Sequence, residues 1–184
     1  MVALTKYSIE TYIRRCISEA VESMRLYNPP FGCLIIDTNG LIVAVAHNTV
    51  WSACDPTAHA EINALRMLAK KLGTVKFQGY TLFANAECCP MCSSACIKAG
   101  LTAFYYGAPM EPGSVPGLSL REVAWRANLP IAVYGPILEE ECRPRISHGR
   151  AMLAHRPSHP QPRRVIPHLP SCKCADCLLK VGTL

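Results

Sequence analysis

Four side chains in two short segments have the types and spacing of a metal-assisted hydrolytic site. His59 and Glu61 lie two residues apart, and Cys89 and Cys92 lie three residues apart in a later segment. One imidazole and two thiolates supply three ligands of a tetrahedral zinc ion, and a missing fourth protein ligand leaves one position open to water. Glu61 is then free to transfer protons without binding the metal. The pattern predicts a catalytic zinc site with His59, Cys89 and Cys92 as ligands and Glu61 as the catalytic residue.

Each half of this pattern has a simpler explanation when it is taken alone. A Cys-x-x-Cys pair also occurs in redox proteins and in structural zinc sites, and a lone His is usually a core or surface residue. Together, the two halves match the His-x-Glu and Cys-x-x-Cys signature of zinc-dependent deaminases. The combination therefore favours a deaminase over a redox pair or a purely structural zinc site.

The motif resembles that of the cytidine deaminase superfamily, and in particular its guanine deaminase-like and transfer-RNA adenosine deaminase branches. Residues 55–61 carry most of the resemblance, and residues 30–32 and 47–50 match similar segments of guanine deaminase-like enzymes. The similarity extends over about residues 7–142. It implies one Zn²⁺ per chain, a three-layer α-β-α fold and, because family members commonly dimerise, a homodimer.

The resemblance also implies contacts to the substrate. An Asn at the position of Asn48 hydrogen-bonds the substrate base in the family, and an amide suits that role because it offers a donor and an acceptor. The alternative is that Asn48 only closes a turn. Phe31 and the backbone of Ala60 are further expected contacts.

Cys88 is a departure from the family pattern. The family usually has Pro directly before its first metal-binding Cys, and this chain has Cys88 there. Its backbone is a candidate substrate contact, whereas its thiol could compete for the metal. Spacing and the family pattern assign the ligand roles to Cys89 and Cys92.

Composition places the chain among globular proteins. It has 184 residues, of which 50% are hydrophobic and 17% are charged, so it is long enough for one full domain. The N-terminus leads straight into a charged segment, which predicts no signal peptide, and no run approaches the roughly 18 apolar residues of a membrane span. We therefore predict a soluble cytoplasmic protein whose eleven Cys are metal ligands, buried residues and free thiols.

The charge is unevenly distributed along the chain. The net charge is +6, and residues 143–184 hold six Arg, two Lys and one Asp, so residues 1–142 carry a net charge of −1. A domain that tracks a nucleic-acid backbone is usually basic. Near-neutrality favours a small-molecule substrate, and nucleic acid is expected only if the chain is a transfer-RNA enzyme.

Apolar patterning predicts the α/β elements that must position these residues. A first helix precedes two strands joined as a hairpin, both expected to be buried on both faces. Residues 55–57 are expected to start the helix that carries His59 and Glu61, and Cys89 and Cys92 are expected in the first turn of the next helix. A helix between strands 4 and 5 makes these two strands parallel. The predicted strands are residues 31–36, 41–46, 79–84, 102–106 and 131–134, and the predicted helices are residues 9–24, 58–71, the Cys helix, 119–127 and 137–142.

The prediction divides the chain at Arg143. Residues 1–142 form the zinc-dependent deaminase domain, and residues 143–184 form a tail rich in Pro, Arg, His and Cys. Repeated Pro predicts a mobile tail without long helices, and the alternative is an arm that reaches across a dimer. A second metal on His168, Cys172, Cys174 and Cys177 is a further alternative.

The predicted function is hydrolytic deamination of an amino-purine or related small heterocycle, a guanine-like base or nucleoside, with release of ammonia. The first alternative is a transfer-RNA adenosine deaminase, which converts adenosine to inosine, and a cytosine or pyrimidine deaminase is another. A protein of a different class, a zinc-stabilised RNA-binding or assembly module, would bind zinc without releasing ammonia.

Overall fold

A five-stranded mixed sheet forms the centre of the computed structural model, which describes residues 4–154. The strands are β1 (Gly32–Ile36), β2 (Ile42–His47), β3 (Thr81–Ala86), β4 (Ala103–Ala108) and β5 (Ala132–Tyr134). The helices are α1 (Lys6–Arg25), α2 (Val50–Ala53), α3 (Ala60–Leu72), α4 (Pro90–Ala99), α5 (Leu120–Arg126) and α6 (Glu139–Ala154).

The strand order is β2-β1-β3-β4-β5. β1 is antiparallel to β2 and β3, whereas β4 is parallel to both β3 and β5. The predicted mixed sheet with parallel strands 4 and 5 is therefore confirmed.

Helices cover both faces of the sheet, which explains the continuous apolar runs in β1 and β3. In β1, Cys33 and Ile35 pack in a core with α3 and α4, and Leu34 and Ile36 pack in a second core with α1 and α6. Successive strand residues point to opposite faces, so a strand covered on both sides needs apolar residues throughout. This arrangement confirms the three-layer α-β-α prediction.

The second hairpin strand differs from its prediction. β2 lies at the edge of the sheet, where Ile42 is 45% exposed and the following residues alternate between partly buried and buried, with Ala44 and Ala46 buried. The expectation that both faces of β2 are buried is wrong. Its apolar run matches that of a central strand, and its place at the edge depends on pairing elsewhere in the chain.

The helix that carries Glu61 begins later than predicted. α3 starts at Ala60 with His59 as its N-cap. Asp55 instead closes a turn, in which its Oδ1 accepts bonds from the amide (2.7 Å) and the hydroxyl (2.6 Å) of Thr57. The Asp-Pro-Thr segment therefore ends in a turn that leads to His59, and short helix α2 precedes it unpredicted.

The last helix is much longer than predicted. α6 continues past Cys142 to Ala154 and contains Pro144. Pro removes one backbone hydrogen bond, but the buried residues Cys142, Ile146 and Gly149 recur on one face of the helix and pack against the sheet and α1. The predicted helix end at Cys142 is wrong, and residues 143–154 are helical. The division of the chain into domain and tail stays a prediction.

A close approach at Gly149 fixes the second half of α6. A Cβ atom at this position would lie 2.5 Å from Sδ of Met24 and 2.5 Å from Cβ of Pro30. Only Gly lets the helix pack this closely on the segment that leads into β1.

Two predictions concern residues beyond this helix. The second metal group on His168, Cys172, Cys174 and Cys177 lies outside the described residues. Between residues 4 and 154, none of the helices is both long and apolar enough to cross a membrane.

Candidate metal centre

The starts of two helices bring the predicted ligands together. His59 is the N-cap of α3, Cys89 is the N-cap of α4, and Cys92 lies in the first turn of α4. Both helices pack on the same face of the sheet and contact each other. Two segments that are distant in sequence therefore meet at one point.

The distances fit a tetrahedral zinc ion. The ligand atoms of His59, Cys89 and Cys92 all lie within 4.8 Å of one another, and Nδ1 of His59 is 3.7 Å from Sγ of Cys89. Bonds of about 2.3 Å to sulfur and about 2.0 Å to nitrogen, at tetrahedral angles, require a sulfur–nitrogen distance of about 3.6 Å. A His/Cys/Cys donor set is also one that zinc prefers. The distance between His59 and Cys89 matches this value, and the three residues form a group that could hold the ion.

Hydrogen bonds among the two thiols and the imidazole shift their pKa values, and only the shift of Cys89 favours the form that binds a metal. Hydrogen bonds from Cys92 and from His59 lower the pKa of Cys89 to about 4, whereas the pKa of Cys92 is raised because Cys92 is the donor to Cys89. The hydrogen bond to Cys89 raises the pKa of His59. A bound dication would displace these protons, since the ligand forms are thiolate and neutral imidazole.

Glu61 lies beside this group in a buried position. It is 7% exposed, and burial raises the pKa of its carboxyl, with the nearby Cys89 thiolate adding to the effect and His59 opposing it. The sequence predicts that the helix start stabilises ionised Glu61. In the structure, desolvation outweighs that contribution. A carboxyl that holds a proton more readily than usual is suited to accept and return one.

Cys88 is not one of the residues of the metal group, and its thiol hydrogen-bonds Glu61. Its side chain is 1% exposed and belongs to the core between the sheet and the helices α3 and α4. Among the described residues, the group whose ligand atoms converge contains Cys89 and Cys92 and does not contain Cys88. Burial raises the pKa of the Cys88 thiol, so this thiol stays protonated.

Asn63 positions the His59 loop, a role that sequence reasoning missed. Its side-chain amide donates to the carbonyl oxygens of His47 (3.0 Å) and Ala58 (3.2 Å) and to the hydroxyl of Thr49 (2.9 Å). These bonds attach the loop between β2 and α3 to the first turn of α3. His59 directly follows the loop residues that these hydrogen bonds hold in place.

Asn48 closes a turn in the same loop. It is 1% exposed, and its Oδ1 accepts from the backbone amide of Val50 at 3.0 Å. The side-chain oxygen of Asn48 therefore closes a turn, as the alternative to a substrate contact predicts. Contact between its amide group and a substrate stays a prediction, as does contact with the buried backbone of Ala60.

A small cavity of about 180 Å³ adjoins the metal group. Cys89 and the predicted contact Phe31 line it, whereas the predicted contacts Asn48, Ala60 and Cys88 are not among its lining residues. Further walls come from the loop after β4 and from α6. From these elements it is lined mainly by Met110, Glu111, Val115, Arg143, Ile146 and Arg150.

The α6 wall of this cavity was missed by sequence reasoning. Arg150 forms an ion pair with Glu111, and its guanidinium carbon lies 5.9 Å from the centre of the Phe31 ring. Arg143 pairs with Glu139 one helical turn earlier, at 2.5 Å. That i,i+4 pair is a helix signal that extends past the predicted end at Cys142.

Glu87 anchors the loop that forms the opposite wall. Its two carboxylate oxygens accept from the backbone amides of Met110 (2.9 Å) and Leu120 (2.8 Å). Glu87 therefore holds this loop and the start of α5 in place.

Comparison with known proteins identifies the family. Residues 6–108 match the cytidine and deoxycytidylate deaminase zinc-binding region, which covers more than half of the chain. The chain belongs to this deaminase family. The prediction of a family of zinc-dependent hydrolytic deaminases is confirmed, and zinc is its cofactor.

Relatives within the deaminase family act on different substrates. The chain is 37% identical to guanine deaminase from Bacillus subtilis over 100 residues, which cover 54% of this chain and 64% of that enzyme. It is 32% identical to the tRNA-specific adenosine deaminase of the same organism over 134 residues, covering 72% and 83%. It is 31% identical to a probable cytosine deaminase from Schizosaccharomyces pombe over 140 residues, covering 71% and 85%.

The fold of the family is also found in solved structures. A tRNA:A34 deaminase structure superimposes with a TM-score of 0.66 at 26% identity and covers 73% of this chain and 98% of its own. The cytidine deaminase-like fold is therefore confirmed. The similar identities to three enzymes leave the substrate of this deaminase to be argued from its own site.

Proposed function

We propose that this protein is a zinc-dependent hydrolytic deaminase of an amino-purine or a related small heterocycle. His59, Cys89 and Cys92 hold the zinc ion, and Glu61 is the catalytic residue. The observation that carries the proposal is the convergence of one nitrogen and two sulfur atoms beside a buried carboxyl group. A structural zinc site would have no need for that carboxyl group.

The chemistry requires water, a base and an acid. When bound, zinc lowers the pKa of water from ~15.7 toward ~7 and so makes a hydroxide nucleophile available at neutral pH. Glu61 takes the proton that water gives up and delivers it to the ring nitrogen next to the carbon under attack. Glu61, ionised again, then takes the proton of the hydroxyl group added to the ring and passes it to the departing amine, which leaves the oxo product. One water is consumed, and the amino group leaves as ammonia.

The cavity beside the metal group supports a base-sized substrate. Its volume of about 180 Å³ is below the roughly 300–1,000 Å³ of pockets that enclose drug-sized ligands. Phe31, Met110 and Ile146 give it apolar walls, which suit a planar ring.

One observation favours the transfer-RNA adenosine alternative. Residues 143–154 add three Arg to the folded part of the chain, so this part is more basic than residues 1–142 alone. Arg143 and Arg150 also line the cavity. An enzyme of that kind needs only the flipped base to enter its pocket. Because phosphate contacts make affinity fall steeply with salt, a salt titration of binding to transfer RNA separates it from a free-base enzyme.

The substitution Glu61→Gln tests the proposed role of this residue. Gln keeps the size and polarity of the side chain but cannot carry the proton, so we expect turnover to fall by roughly 10²–10⁴-fold while zinc stays bound. The measurement is ammonia release from purified protein, screened against free purines, pyrimidines and nucleosides, together with metal analysis. A near-normal rate in the Glu61→Gln variant would contradict the proposal.

The same screen addresses the non-enzymatic alternative. A zinc-stabilised RNA-binding or assembly module would contain zinc and release no ammonia from any compound. The homodimer and the cytoplasmic location stay predictions.

A further inference from the structure

An ion pair connects two walls of the cavity beside the metal group. Glu111 lies in the loop after β4, and Arg150 lies on α6. The two side chains are 33% and 45% exposed, and Cys89 lines the same cavity. The pair therefore spans the cavity at side chains that solvent reaches.

Arg150 is held in place by more than Glu111. Its guanidinium group lies within cation–π range of Phe31, which lines the same cavity. The preceding residue, Gly149, packs directly on Pro30, the neighbour of Phe31. Helix packing, the aromatic ring and the carboxylate all keep Arg150 across the opening.

We propose that the Arg150–Glu111 ion pair determines substrate size by narrowing the entrance of the pocket. While Arg150 and Glu111 are paired, a planar base fits beneath Arg150, and the ribose of a nucleoside clashes with the two side chains. The pair then acts as a selectivity device for free bases. This inference rests on the proposed deaminase function, because it assigns a substrate class to the same site.

The opposite role for Arg150 is a contact to a substrate phosphate. The guanidinium of Arg150 is already engaged by a carboxylate, and a second acid, Glu87, lines the same cavity. An anion at this position would have to displace Glu111 and would be repelled by Glu87. The acidic side chains around Arg150 therefore favour its ion pair with Glu111 over the binding of a substrate phosphate.

The first experiment measures access to the metal without turnover. Zinc transfer from the holoprotein to a chromogenic chelator is followed in a concentration range where the rate depends on the chelator. Arg150→Met and Glu111→Gln each open the entrance and should speed the transfer roughly two- to fivefold, which is the range an exposed ion pair supplies. The double variant Arg150→Glu with Glu111→Arg restores the pair and should return the rate toward wild type.

Arg145→Met is the matched control. Arg145 is exposed on the same helix and does not line the cavity, so its substitution removes the same charge without opening the entrance. Equal transfer rates in the wild type, Arg150→Met and Glu111→Gln would overturn the proposal. Thermal unfolding of each variant establishes that a faster transfer does not come from a destabilised fold.

The second experiment measures selectivity. Values of kcat/KM are compared for guanine, guanosine and GMP, and for the matched adenine series. Opening the pair should raise the nucleoside-to-base ratio by roughly two- to fivefold, with reversal in the charge-swapped variant. A selective loss of activity on the nucleotide in Arg150→Met would instead assign Arg150 to phosphate binding and overturn the proposal.

The two experiments separate failure of this inference from failure of the proposed function. If the wild type releases no ammonia from any compound, the proposed function fails and the zinc-transfer rates alone decide whether the pair narrows the entrance. If the wild type is active and neither the transfer rates nor the ratios change, the function stands and the ion pair has no such role.

Discussion

At the scale of single residues, the metal group depends on which of two adjacent thiols faces His59. Cys89 is the N-cap of α4 and lies 3.7 Å from the imidazole, while Cys88 is buried in the core. A helix start favours thiolate, and a buried apolar environment favours thiol. The neighbouring cysteines therefore differ in chemistry because they differ in position.

We expect Cys88→Ala to keep one zinc per chain, and Cys89→Ala and Cys92→Ala to lose it. Removing the core thiol leaves the three ligands in place, at a cost of about 1 kcal/mol for the small cavity. Metal content of the purified variants checks this, with Cys96→Ala as a second buried control. Zinc loss in Cys88→Ala at normal stability would make Cys88 a ligand.

Substitution of Asn63 tests how much the hydrogen bonds around His59 contribute to zinc affinity and to stability. Asn63→Ala removes three hydrogen bonds from the loop that precedes His59, each contributing about 1 kcal/mol. We expect unfolding free energy to fall by about 1–3 kcal/mol and zinc affinity to fall about 10–100-fold. Urea unfolding and competitive zinc titration measure the two effects. Unchanged zinc affinity would show that the loop holds His59 without Asn63.

At the scale of elements, α6 contributes both to a hydrophobic core and to the cavity beside the metal group. Its buried face docks on the sheet and α1, and its cavity-facing residues form a wall beside the metal group. One helix therefore links the stability of the second core to the shape of the cavity beside the metal group. A shift of this helix would move Arg143, Ile146 and Arg150 together.

Gly149→Ala should force such a shift. The added methyl group would overlap the Pro30 ring and the Met24 sulfur, and overpacking of this kind costs about 1–3 kcal/mol. We expect a lower free energy of unfolding, measured by urea denaturation of the zinc-bound protein. Ser147→Ala, exposed on the same helix, is the control and should be nearly neutral. Equal stability in both variants would mean that α6 can move away at little cost.

The sequence predicts elements well where the signal is local. The box at Ser119 and Glu122 caps α5 as expected, with the Ser119 amide donating to Glu122 at 2.8 Å. The sequence does not predict the end of α6, because Pro144 favours a helix end near Cys142 and the packing of the buried face depends on residues far away in the chain. The exposure of β2 was missed for the same reason, since an edge position is set by strand order.

The metal group was predictable, and the pocket was not. His59, Cys89 and Cys92 have fixed spacings and specific chemistry, so a short motif identifies them. The pairing of Glu111 with Arg150 joins a loop to a helix and follows no periodic pattern. Contacts of this kind become visible only when the chain is folded.

At the scale of the whole molecule, the metal group joins two parts of the chain. One ligand follows the antiparallel hairpin of β1 and β2, and two follow β3, which starts the parallel part of the sheet. A bound ion connects these parts in the native state, whereas the unfolded chain has no preformed site. Zinc should therefore stabilise the whole fold.

Removal of zinc should lower the melting temperature. A ligand present at 1,000 times its Kd stabilises the native state by ~4 kcal/mol, which corresponds to about 10 °C for a chain of this size. Calorimetry with and without a chelator measures the shift, and His59→Ala, which lacks a ligand, should show little further change. An unchanged melting temperature in the wild type would mean that zinc contributes nothing to folding.

The metal group lies at the starts of α3 and α4, whereas α6 forms a wall of the cavity, and this separation has an evolutionary consequence. The metal group and the α6 wall of the cavity are encoded by separate stretches of the chain, so one can diverge while the other is conserved. Under the proposed function, exchanging α6 between related chains would then change the substrate preference and leave the reaction unchanged.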